Sequence, residues 1–551
     1  MATVSIDVPV LIVGGGPAGL AASLLLSRHG AESLLINKHA GPSSLPRARG
    51  VHARAMEILR LCGVESDLRA VELPIEPGAE WRPTLGAPAV AEDTIGPASE
   101  VSPCEGLAVS QDVFESVLLS HARAQPMAQV LLGTELESFQ VVSDGVEAVM
   151  RERATGREIE VQARYVIAAD GARSPIRRRL GIDMDGSPDM GSQYMIAFRC
   201  DLTRWTGRHP RGIYFLTVSG AALIWTHDDH RWVLSVPAPA PSDPPDALTT
   251  VRTALGIDDL PVEVLAESPW TAAALSAQRY ALDRIFLVGD AAHCFPPAGA
   301  TGVSTAIHDV HNLAWKLAAV LARKAPPTLL DTYAVERQAV GRRNAEETGA
   351  AWARILNPTG PPFAGRTLRQ IDMGFQYRSD IVVPDGGPAA DPPGSDYLPS
   401  AAPGCRAPHL WINTSDGQMS TIDLFDRDFV LLAGPAEGST WRTAAACTRQ
   451  RVGTPLVDVI IDDPSFPPTY GVEPTGAVLV RPDGHVAWRA QAVPSGPGKA
   501  TAELTLALSR ALEGLPTTTA PPLRSLAGQL AGWCWDRSRR GCRARVLWRC
   551  L

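Results

Sequence analysis

Residues 8–37 read VPVLIVGGGPAGLAASLLLSRHGAESLLIN, and this stretch decides the class of the fold. The opening apolar run, VPVLIV, has the composition of a buried parallel strand. Gly14, Gly16 and Gly19 then fit the spacing GxGxxG, and a helical pattern over residues 20–30 leads into a second strand, SLLIN. The stretch therefore predicts a complete β-α-β unit that binds a dinucleotide.

Each glycine of the motif has a physical role. Gly14 permits a tight turn, Gly16 lets a pyrophosphate approach the backbone, and Gly19 lets the helix pack closely on the strand. Pro17 and Ala18 open a helix whose free N–H groups and partial positive charge attract phosphate. We therefore expect these five residues to hold a pyrophosphate.

Asn37 stands at the end of the second strand, where such units usually carry Glu or Asp to accept hydrogen bonds from ribose hydroxyls. An amide oxygen accepts one such bond without the charge, and Lys38 makes the surroundings less acidic. We predict that Asn37 still faces the ribose.

Length and composition limit the possible functions. A chain of 551 residues exceeds one compact core, so we expect two or three domains. The net charge of −8 gives no general attraction to nucleic acid or anionic membranes. The N-terminus lacks signal-peptide features, and the sequence has no apolar run long enough to predict a membrane span. Nine cysteines without CxxC indicate neither a zinc ribbon nor a redox pair, so we expect a cytoplasmic protein with reduced thiols.

Two later motifs have the same form, a strand followed by Asp and Gly. Residues 161–182 (VQARYVIAADGARSPIRRRLGI) lead into Asp170, and residues 281–293 (ALDRIFLVGDAAH) lead into Gly289 and Asp290. An Asp at a strand end is by itself often a plain helix N-cap. The glycine motif at residues 14–19 followed by these two motifs, in this order, is far more specific than any one of the three.

The three motifs together resemble those of the class A flavoprotein monooxygenases, the aromatic hydroxylases with a para-hydroxybenzoate-hydroxylase-like fold. The resemblance covers roughly residues 5–385. It includes PRARGVHARAMEILRLCGV (46–64) and SQDVFESVLLSHAR (110–123), while the PPAGATG loop and the helix after it look most like the hydroxylases of aromatic polyketide pathways. The implied fold is α/β: a Rossmann-like FAD-binding domain, an inserted antiparallel-sheet substrate domain and a C-terminal thioredoxin-like domain.

The resemblance also assigns cofactor residues. The ribityl chain would lie at Gly289 and Asp290, and Asp170 would sit in a motif that serves both FAD and NAD(P)H. Ala300 and Ser304 replace a Gly and an Asn of a common family pattern, which keeps a backbone cradle but leaves side-chain contacts there open. The residues implied at the FAD are Gly14, Gly16, Pro17, Ala18, Gly19, Asn37, Lys38, Arg47, Gln111, Asp170, Gly289, Asp290, Pro297, Gly299, Gly302 and Val303.

The implied reaction is the hydroxylation of an electron-rich polycyclic aromatic polyketide through a flavin C4a-hydroperoxide. FAD would be the resident cofactor, NADPH or NADH a transient reductant and O₂ the co-substrate, without a metal. Baeyer–Villiger insertion, a non-oxygenating flavin reductase and a flavin-binding scaffold without turnover remain alternatives. The halogenase signature WxWxIP is absent, which argues against that branch.

Residues 183–279 alternate in polarity and predict an antiparallel sheet that covers the flavin. Its aromatic residues could form a substrate wall, although ordinary sheet packing would explain them as well. The segment THDDHRW (226–232) predicts a hairpin turn rather than a metal site, and His293 a helix-start residue rather than a flavin link or base. The wall candidates are Phe198, Tyr214, Phe215, Trp225 and Trp232.

The expected boundaries follow from these assignments. In the C-terminal region the absence of CxxC predicts packing or dimer contact rather than redox chemistry, and we expect a monomer or a homodimer. The tail is rich in Cys, Arg and Trp and predicts disorder. The expected units are an FAD-binding domain (1–75, 100–182 and 280–385), a substrate domain (76–99 and 183–279), a linker (386–403), a thioredoxin-like domain (404–514) and the tail (515–551).

Overall fold

The computed structural model describes residues 4–43, 49–238, 246–356, 365–387, 396–415, 417–496 and 498–513. The chain divides into two compact units, residues 1–514 and 515–551. The second unit, for which we predict disorder, lies outside the described residues, as do residues 388–395 of the predicted linker.

The strands of the described residues come from apolar runs, some continuous and some alternating with polar residues. In chain order they are β1 (Val4–Val13), β2 (Ser33–Asn37), β3 (Gly50–Val51), β4 (Glu76–Arg82), β5 (Ala91–Asp93), β6 (Leu107–Ala108), β7 (Ala128–Leu132), β8 (Thr134–Val141), β9 (Val146–Glu152), β10 (Glu158–Ala168), β11 (Met184–Ser187), β12 (Ser192–Arg199), β13 (Arg211–Leu216), β14 (Ala221–His227), β15 (Arg231–Pro237), β16 (Glu263–Thr271), β17 (Ala274–Ala277), β18 (Ala281–Leu282), β19 (Ile285–Leu287), β20 (His293–Cys294), β21 (Trp411–Thr414), β22 (Gly417–Ser420), β23 (Phe429–Ala433), β24 (Leu456–Ile460), β25 (Ala477–Val480) and β26 (Val486–Ala490).

The helices pack one apolar face against these strands. They are α1 (Pro17–Arg28), α2 (Ala53–Leu61), α3 (Glu65–Ala70), α4 (Gln111–Ala124), α5 (Pro175–Arg179), α6 (Thr203–Thr206), α7 (Ala247–Leu255), α8 (Thr301–Leu321), α9 (Asp331–Leu356), α10 (Leu368–Met373), α11 (Gly438–Val452), α12 (Phe466–Tyr470) and α13 (Lys499–Glu513). Short 3₁₀ turns lie at Gly289–Ala291, Pro327–Leu330, Thr421–Leu424 and Pro435–Glu437.

A parallel sheet in the order β7-β2-β1-β10-β19 forms the first layer, with β18 antiparallel at one edge. Strand β9 pairs antiparallel with β10, and β8 pairs with β9. Helix α1 connects β1 to β2 and packs against α8. Because the carboxyl ends of parallel strands meet at one edge, the turns after β1, β10 and β19 come together there. We call this edge, with the turns at Gly14, Asp170 and Gly289, the cofactor edge.

The second layer is a sheet in the order β16-β12-β15-β14-β13-β4-β5. Its pairings are antiparallel except that β13 runs parallel to β4. Strands β4 and β5 come before β10 of the parallel sheet in the chain, whereas β12 to β16 come after it. Helix α7 covers one face, where Ile196, Leu223 and Val251 belong to one buried apolar cluster. The other face is not part of that core.

A third sheet, ordered β24-β23-β25-β26, lies near the C-terminus. Strands β23 and β24 are parallel, while β25 and β26 are antiparallel to their neighbours. Helices α11 and α13 pack against each other, and their Trp441 and Leu508 are fully buried. The turn between β25 and β26 carries Asp483 and inserts buried charges between α8 and α9.

The prediction of a mixed α/β fold is confirmed, with both parallel and antiparallel sheets. Residues 228–230 connect β14 to β15 as the predicted hairpin, with His230 in the left-handed region at φ +61°. Across the described ranges, no helix is both long enough and apolar enough to cross a membrane.

Candidate active site

The turn after β1 shows why glycine is needed at two of the three motif positions. Gly14 has φ +114°, and a Cβ there would lie 2.1 Å from the carbonyl oxygen of Ala169. A Cβ at Gly19 would lie 1.9 Å from the carbonyl oxygen of Gly14. These two glycines are therefore required by the close approach of β1, β10 and α1.

Gly16 is different, because its surroundings are open. The heavy atom nearest to a Cβ at Gly16 is Glu115 Oε1, at 4.0 Å. Gly16 is also the N-cap of α1 and has no side chain to cap the first N–H groups. An anion of phosphate size can approach these N–H groups directly.

Asn37 is the last residue of β2 and lies beside this turn. A Cβ added at Gly15 would be 2.9 Å from Asn37 Nδ2. Lys38, the next residue, is exposed. Gln111 begins α4, and its Nε2 donates to Glu115 Oε1 (2.6 Å). The buried Glu115 also accepts from the backbone N–H of Ser43 (2.8 Å), so it holds Gln111 near the glycine turn.

Asp170 follows β10, and its two carboxylate oxygens have different environments. Oδ2 accepts from the backbone N–H of Ile176 (3.1 Å), which helps to cap α5. Oδ1 is buried and has no hydrogen-bond partner among the described residues. Burial raises the pKa of Asp170 above its ordinary value. Helix capping accounts for only half of this carboxylate, and the other oxygen suits a ligand hydroxyl.

Gly289 begins the turn after β19, with φ +57°, and a Cβ there would meet the Cβ atoms of Ala306 (3.1 Å) and Ala18 (3.2 Å). Its backbone N–H donates to Asp309 Oδ2 (3.0 Å). Asp290, one residue on, is exposed at the cofactor edge.

Asp309 organises this turn from within α8. It accepts from His293 Nε2 (2.7 Å) and Arg337 Nε (2.8 Å), and all three side chains are fully buried. Burial alone would raise the pKa of Asp309, but His293 and Arg337 hold it below its ordinary value. His293 thus supports the turn, but it lies in strand β20 and not at the predicted helix start.

The loop before α8 carries two left-handed residues, Gly299 (φ +84°) and Ala300 (φ +53°). Ala300 is the N-cap of α8 and has no polar side chain with which to cap the helix. Gly302 has no heavy atom within 4 Å of an added Cβ, so the first turn of α8 faces open space. Pro297 is exposed and Val303 is half-buried on either side of this opening.

His52 fastens this loop. Its Nε2 donates to the carbonyl oxygen of Gly299 (2.8 Å), and its backbone N–H donates to Ser304 Oγ (3.0 Å). The two contacts lie on either side of Ala300. The left-handed backbone conformation of this residue would be less strained in a glycine. Ser304, which replaces the family Asn, therefore contacts the chain itself.

The structure divides the aromatic residues that we predict as a substrate wall between the two faces of the large antiparallel sheet. Four of the five predicted aromatic residues lie in the core beneath α7, because the pleat directs alternate residues to opposite faces. Phe215 points to the other face and stacks on Trp81, with ring centroids 5.2 Å apart. The four core residues are Phe198, Tyr214, Trp225 and Trp232.

Two further predictions concern Arg47 and the hairpin turn between β14 and β15. Arg47 lies outside the described residues. His227, Asp228 and Asp229 lie close enough together to hold a cation, but they occupy the partly exposed hairpin turn, where acidic groups are common without one.

Several residues around the site carry no signal in the sequence alone. Glu115, His52 and Asp309 act through contacts between segments that are distant in the chain. A carboxylate in the middle of α8, where polar and apolar residues are both buried, is the one available hint, since buried charges are costly unless they are paired. Nothing in the local pattern identifies its partner, Arg337.

The FAD binding domain family matches residues 7–348, and the aromatic-ring hydroxylase C-terminal family matches residues 400–514. The chain is 36% identical to the tetracenomycin A2 monooxygenase-dioxygenase of Streptomyces glaucescens, over 93% of this chain and 99% of the relative. The chain belongs to the class A flavin-dependent monooxygenases. It is also 36% identical to aklavinone 12-hydroxylase DnrF of Streptomyces peucetius, over 80% of this chain and 94% of the relative.

Solved structures agree with this family assignment. A ternary complex of aklavinone-11 hydroxylase with FAD and aklavinone superposes with a TM-score of 0.84 at 30% identity, over 92% of this chain and 99% of that chain. The flavin-dependent monooxygenase PieE, in complex with FAD and substrate, gives a TM-score of 0.82 at 31% identity, with the same coverage. The predictions of a flavin-dependent monooxygenase and of FAD as its cofactor are confirmed.

The residues of this monooxygenase fit FAD on structural grounds. The open front of Gly16 suits a pyrophosphate, and the orphaned Asp170 Oδ1 suits a hydroxyl group. The open space at Gly302 and the uncapped start of α8 suit the ring system and a negative charge on it. All of these features lie along the cofactor edge or next to it.

Proposed function

We propose that this monooxygenase hydroxylates a polycyclic aromatic polyketide, with FAD bound along the cofactor edge, NADPH or NADH as reductant and O₂ as co-substrate. The observation that carries the proposal is the near full-length similarity to enzymes named for tetracenomycin and aklavinone. The complex of aklavinone-11 hydroxylase with FAD and aklavinone gives further support, since it superposes on most of this chain.

We infer the cofactor contacts from the geometry of the site. Bound FAD supplies the means to accept electrons from NAD(P)H, to activate O₂ and to deliver one oxygen atom. Within the chain, Gly14 and Gly19 maintain the turn, while Gly16 leaves an open approach to the pyrophosphate. Pro17 begins the helix without an N–H of its own, and the N–H groups of Gly16 and Ala18 would face the phosphates. Asn37, Lys38, Gln111 and Arg47 would serve the adenosine half, and Asp170, Gly289 and Asp290 the ribityl half.

The start of α8 has an electrostatic role in this proposal. Free N–H groups at a helix start carry a partial positive charge, which stabilises negative charge developing nearby. The first turn of α8 contains no acidic residue to oppose this. Pro297, Gly299, Gly302 and Val303 then shape the cradle, and His52 keeps it in place.

The substrate surface that we propose is the face of the antiparallel sheet opposite α7. Apolar side chains there are only half-buried, although a sheet face usually packs into a core. A flat polycyclic ring system fits an apolar surface that carries the stacked pair of Trp81 and Phe215. The apolar residues on this face are Trp81, Met195, Ile213, Phe215 and Ile224.

We also propose the domain boundaries stated from the sequence, with residues 404–514 as a thioredoxin-like domain. Its order β24-β23-β25-β26, with β23 and β24 parallel and a helix between them, supports that assignment. We propose that the protein is located in the cytoplasm, because NAD(P)H is supplied there. No disulfide joins the cysteines of the described residues, which fits a reducing compartment.

The test is turnover by the purified, FAD-loaded enzyme with aklavinone as the trial substrate. We expect NADPH or NADH oxidation and O₂ uptake to rise together when aklavinone is added, and the product to gain one oxygen on the ring. Electron transfer without oxygen uptake would indicate a reductase instead. An ester or lactone product would indicate insertion into a carbon–carbon bond.

A further inference from the structure

We propose that Arg49 binds an ionised oxygen of the aromatic substrate, a phenolate or enolate, and so selects polyketides that carry an acidic hydroxyl group. This inference rests on the proposed function, because it assigns a substrate class to the same site. It gives a role to a buried guanidinium that the fold itself does not explain.

Arg49 lies between the cofactor loop and the substrate sheet. Its carbonyl oxygen accepts from the backbone N–H of Val109 (3.0 Å), which continues the pairing of β3 with β6. The next residue, Gly50, is so close to the loop that an added Cβ would lie 3.3 Å from the Cβ of Ala300. The Arg49 side chain extends the other way, and its Nη2 donates to the carbonyl oxygen of Gly212 on β13.

Among the described residues, no carboxylate balances the charge of Arg49. Its Nη1 is shielded from solvent and lacks a hydrogen-bond partner within the described ranges. No acidic side chain of those ranges forms an ion pair with it. Burial lowers the pKa of Arg49 to about 10, the direction expected for a cation without a counter-charge.

Other buried arginines show what a structural role looks like in this protein. Arg54 pairs with Glu57, Arg337 with Asp309, and Arg406 with Glu57. Because burying an unpaired charge is costly, each of these cations has a carboxylate within contact distance. Burial without a carboxylate is possible where backbone carbonyls suffice.

Arg177 is buried and forms no ion pair among the described residues, but it donates to two backbone carbonyl oxygens, at 2.8 and 3.0 Å. Within the same residues the Arg49 guanidinium contacts a single carbonyl oxygen and its Nη1 has no partner, so an anionic ligand would complete its surroundings.

The position of Arg49 favours a substrate oxygen over the cofactor phosphates. The phosphate cradle lies at Gly16 and the start of α1, whereas the guanidinium contacts a strand of the substrate sheet. Aromatic polyketides carry phenolic and enolic hydroxyl groups, and a guanidinium favours their ionised form by charge-assisted hydrogen bonds. The hydroxyl proton leaves to solvent on binding, and the oxyanion makes the ring a better acceptor of an electrophilic oxygen.

The test compares two coloured probes with the FAD-loaded enzyme at a pH below the pKa of the free dihydroxy probe, where the unbound probe is mostly neutral. The first is 1,2-dihydroxyanthraquinone, whose absorption shifts to the red when it ionises, and the second is its dimethyl ether, which cannot ionise. We expect Arg49→Gln to weaken binding of the dihydroxy probe by about 10- to 100-fold and to abolish the red shift on binding. Binding of the dimethyl ether should remain unchanged.

Arg49→Lys is the matched variant, because it keeps the charge and loses the planar fork. It should retain the red shift and bind the dihydroxy probe with an affinity between those of wild type and Arg49→Gln. Equal loss of both probes, an unchanged preference for the dihydroxy probe, or loss of FAD from Arg49→Gln would overturn the inference. Absence of turnover in wild type would contradict the proposed function, while the probe comparison would still decide the role of Arg49.

Discussion

The buried charges between the third sheet and helices α8 and α9 contrast with the buried polar atoms around the cofactor edge. Glu336 accepts from Lys316 Nζ (2.7 Å), from Arg481 Nη1 (2.6 Å) and from Ser379 Oγ (2.6 Å). Asp170 Oδ1 and Arg49 Nη1 are equally shielded, yet they have no partner within the residues that the structure describes. The chain itself satisfies the first set, and we propose that ligands satisfy the second.

This difference separates stability from function in the molecule. A buried charge with a full set of partners holds two parts of the chain in register, and removing one partner leaves the others uncompensated. A buried polar atom without a partner costs free energy until something binds to it. The contrast therefore predicts which substitutions unfold the protein and which only prevent ligand binding.

Glu336→Gln should have the largest effect on stability. Lys316 and Arg481 would lose the carboxylate that balances them, which should lower the free energy of unfolding by about 3–5 kcal/mol. Urea denaturation measures this change. The matched control is Glu158→Gln, which breaks an exposed ion pair with Arg151 and should cost less than about 1 kcal/mol. Similar costs for the two variants would contradict the contrast.

The same carboxylate predicts a pH dependence. Burial alone would raise the pKa of Glu336, but Arg481 and Lys316 hold it below its ordinary value. A lowered carboxyl pKa contributes stability above the unfolded value of about 4.3, and this stability is lost as the pH falls toward the folded pKa. The stability difference between wild type and Glu336→Gln should therefore shrink below about pH 4. A difference that grows with acidity would show the opposite linkage.

Gly16→Ala and Gly19→Ala form a matched pair at the cofactor edge. Gly19→Ala places a Cβ 1.9 Å from the carbonyl oxygen of Gly14 and should destabilise the protein without FAD by about 1–3 kcal/mol. Gly16→Ala meets nothing closer than 4.0 Å, so stability without FAD should change by less than about 0.5 kcal/mol. Its methyl group should weaken FAD binding by about tenfold. Thermal unfolding and FAD titration distinguish the two effects.

Asn37→Glu should give the smallest change, and in the opposite direction. If Asn37 faces the adenosine ribose, a carboxylate there would strengthen one hydrogen bond by about 1–2 kcal/mol and improve FAD retention on dialysis. Asn37→Leu is the control and should weaken retention. Unchanged or weaker retention in Asn37→Glu would remove Asn37 from the ribose site.

The sequence indicates much of the cofactor edge because its motifs are local. A strand, a turn and a helix start follow one another within a few residues at Gly14, Asp170 and Gly289. The physical needs of each turn, such as the positive φ of Gly14, restrict the residues that can stand there. Parallel pairing of β1, β10 and β19 then brings these local signals to one edge.

The rest of the site depends on tertiary contacts that no local pattern records. Tyr214 and Phe215 are adjacent aromatic residues, yet α7 packs on one side of the sheet and buries only Tyr214 in its core. The pairing of His52 with Gly299, and of Arg337 with Asp309, joins segments that are distant in sequence. Only the folded chain shows that Arg49 has no counter-charge among the residues whose structure is described.

The most direct test of the account is oxygen-isotope incorporation by the FAD-loaded enzyme supplied with NADPH and aklavinone. If the unsatisfied groups around the cofactor edge bind flavin and substrate together for oxygen transfer, turnover under ¹⁸O₂ should place one labelled oxygen atom in the product. Turnover in labelled water under unlabelled O₂ should place none. Consumption of NADPH with no label in any product from ¹⁸O₂ would contradict the account.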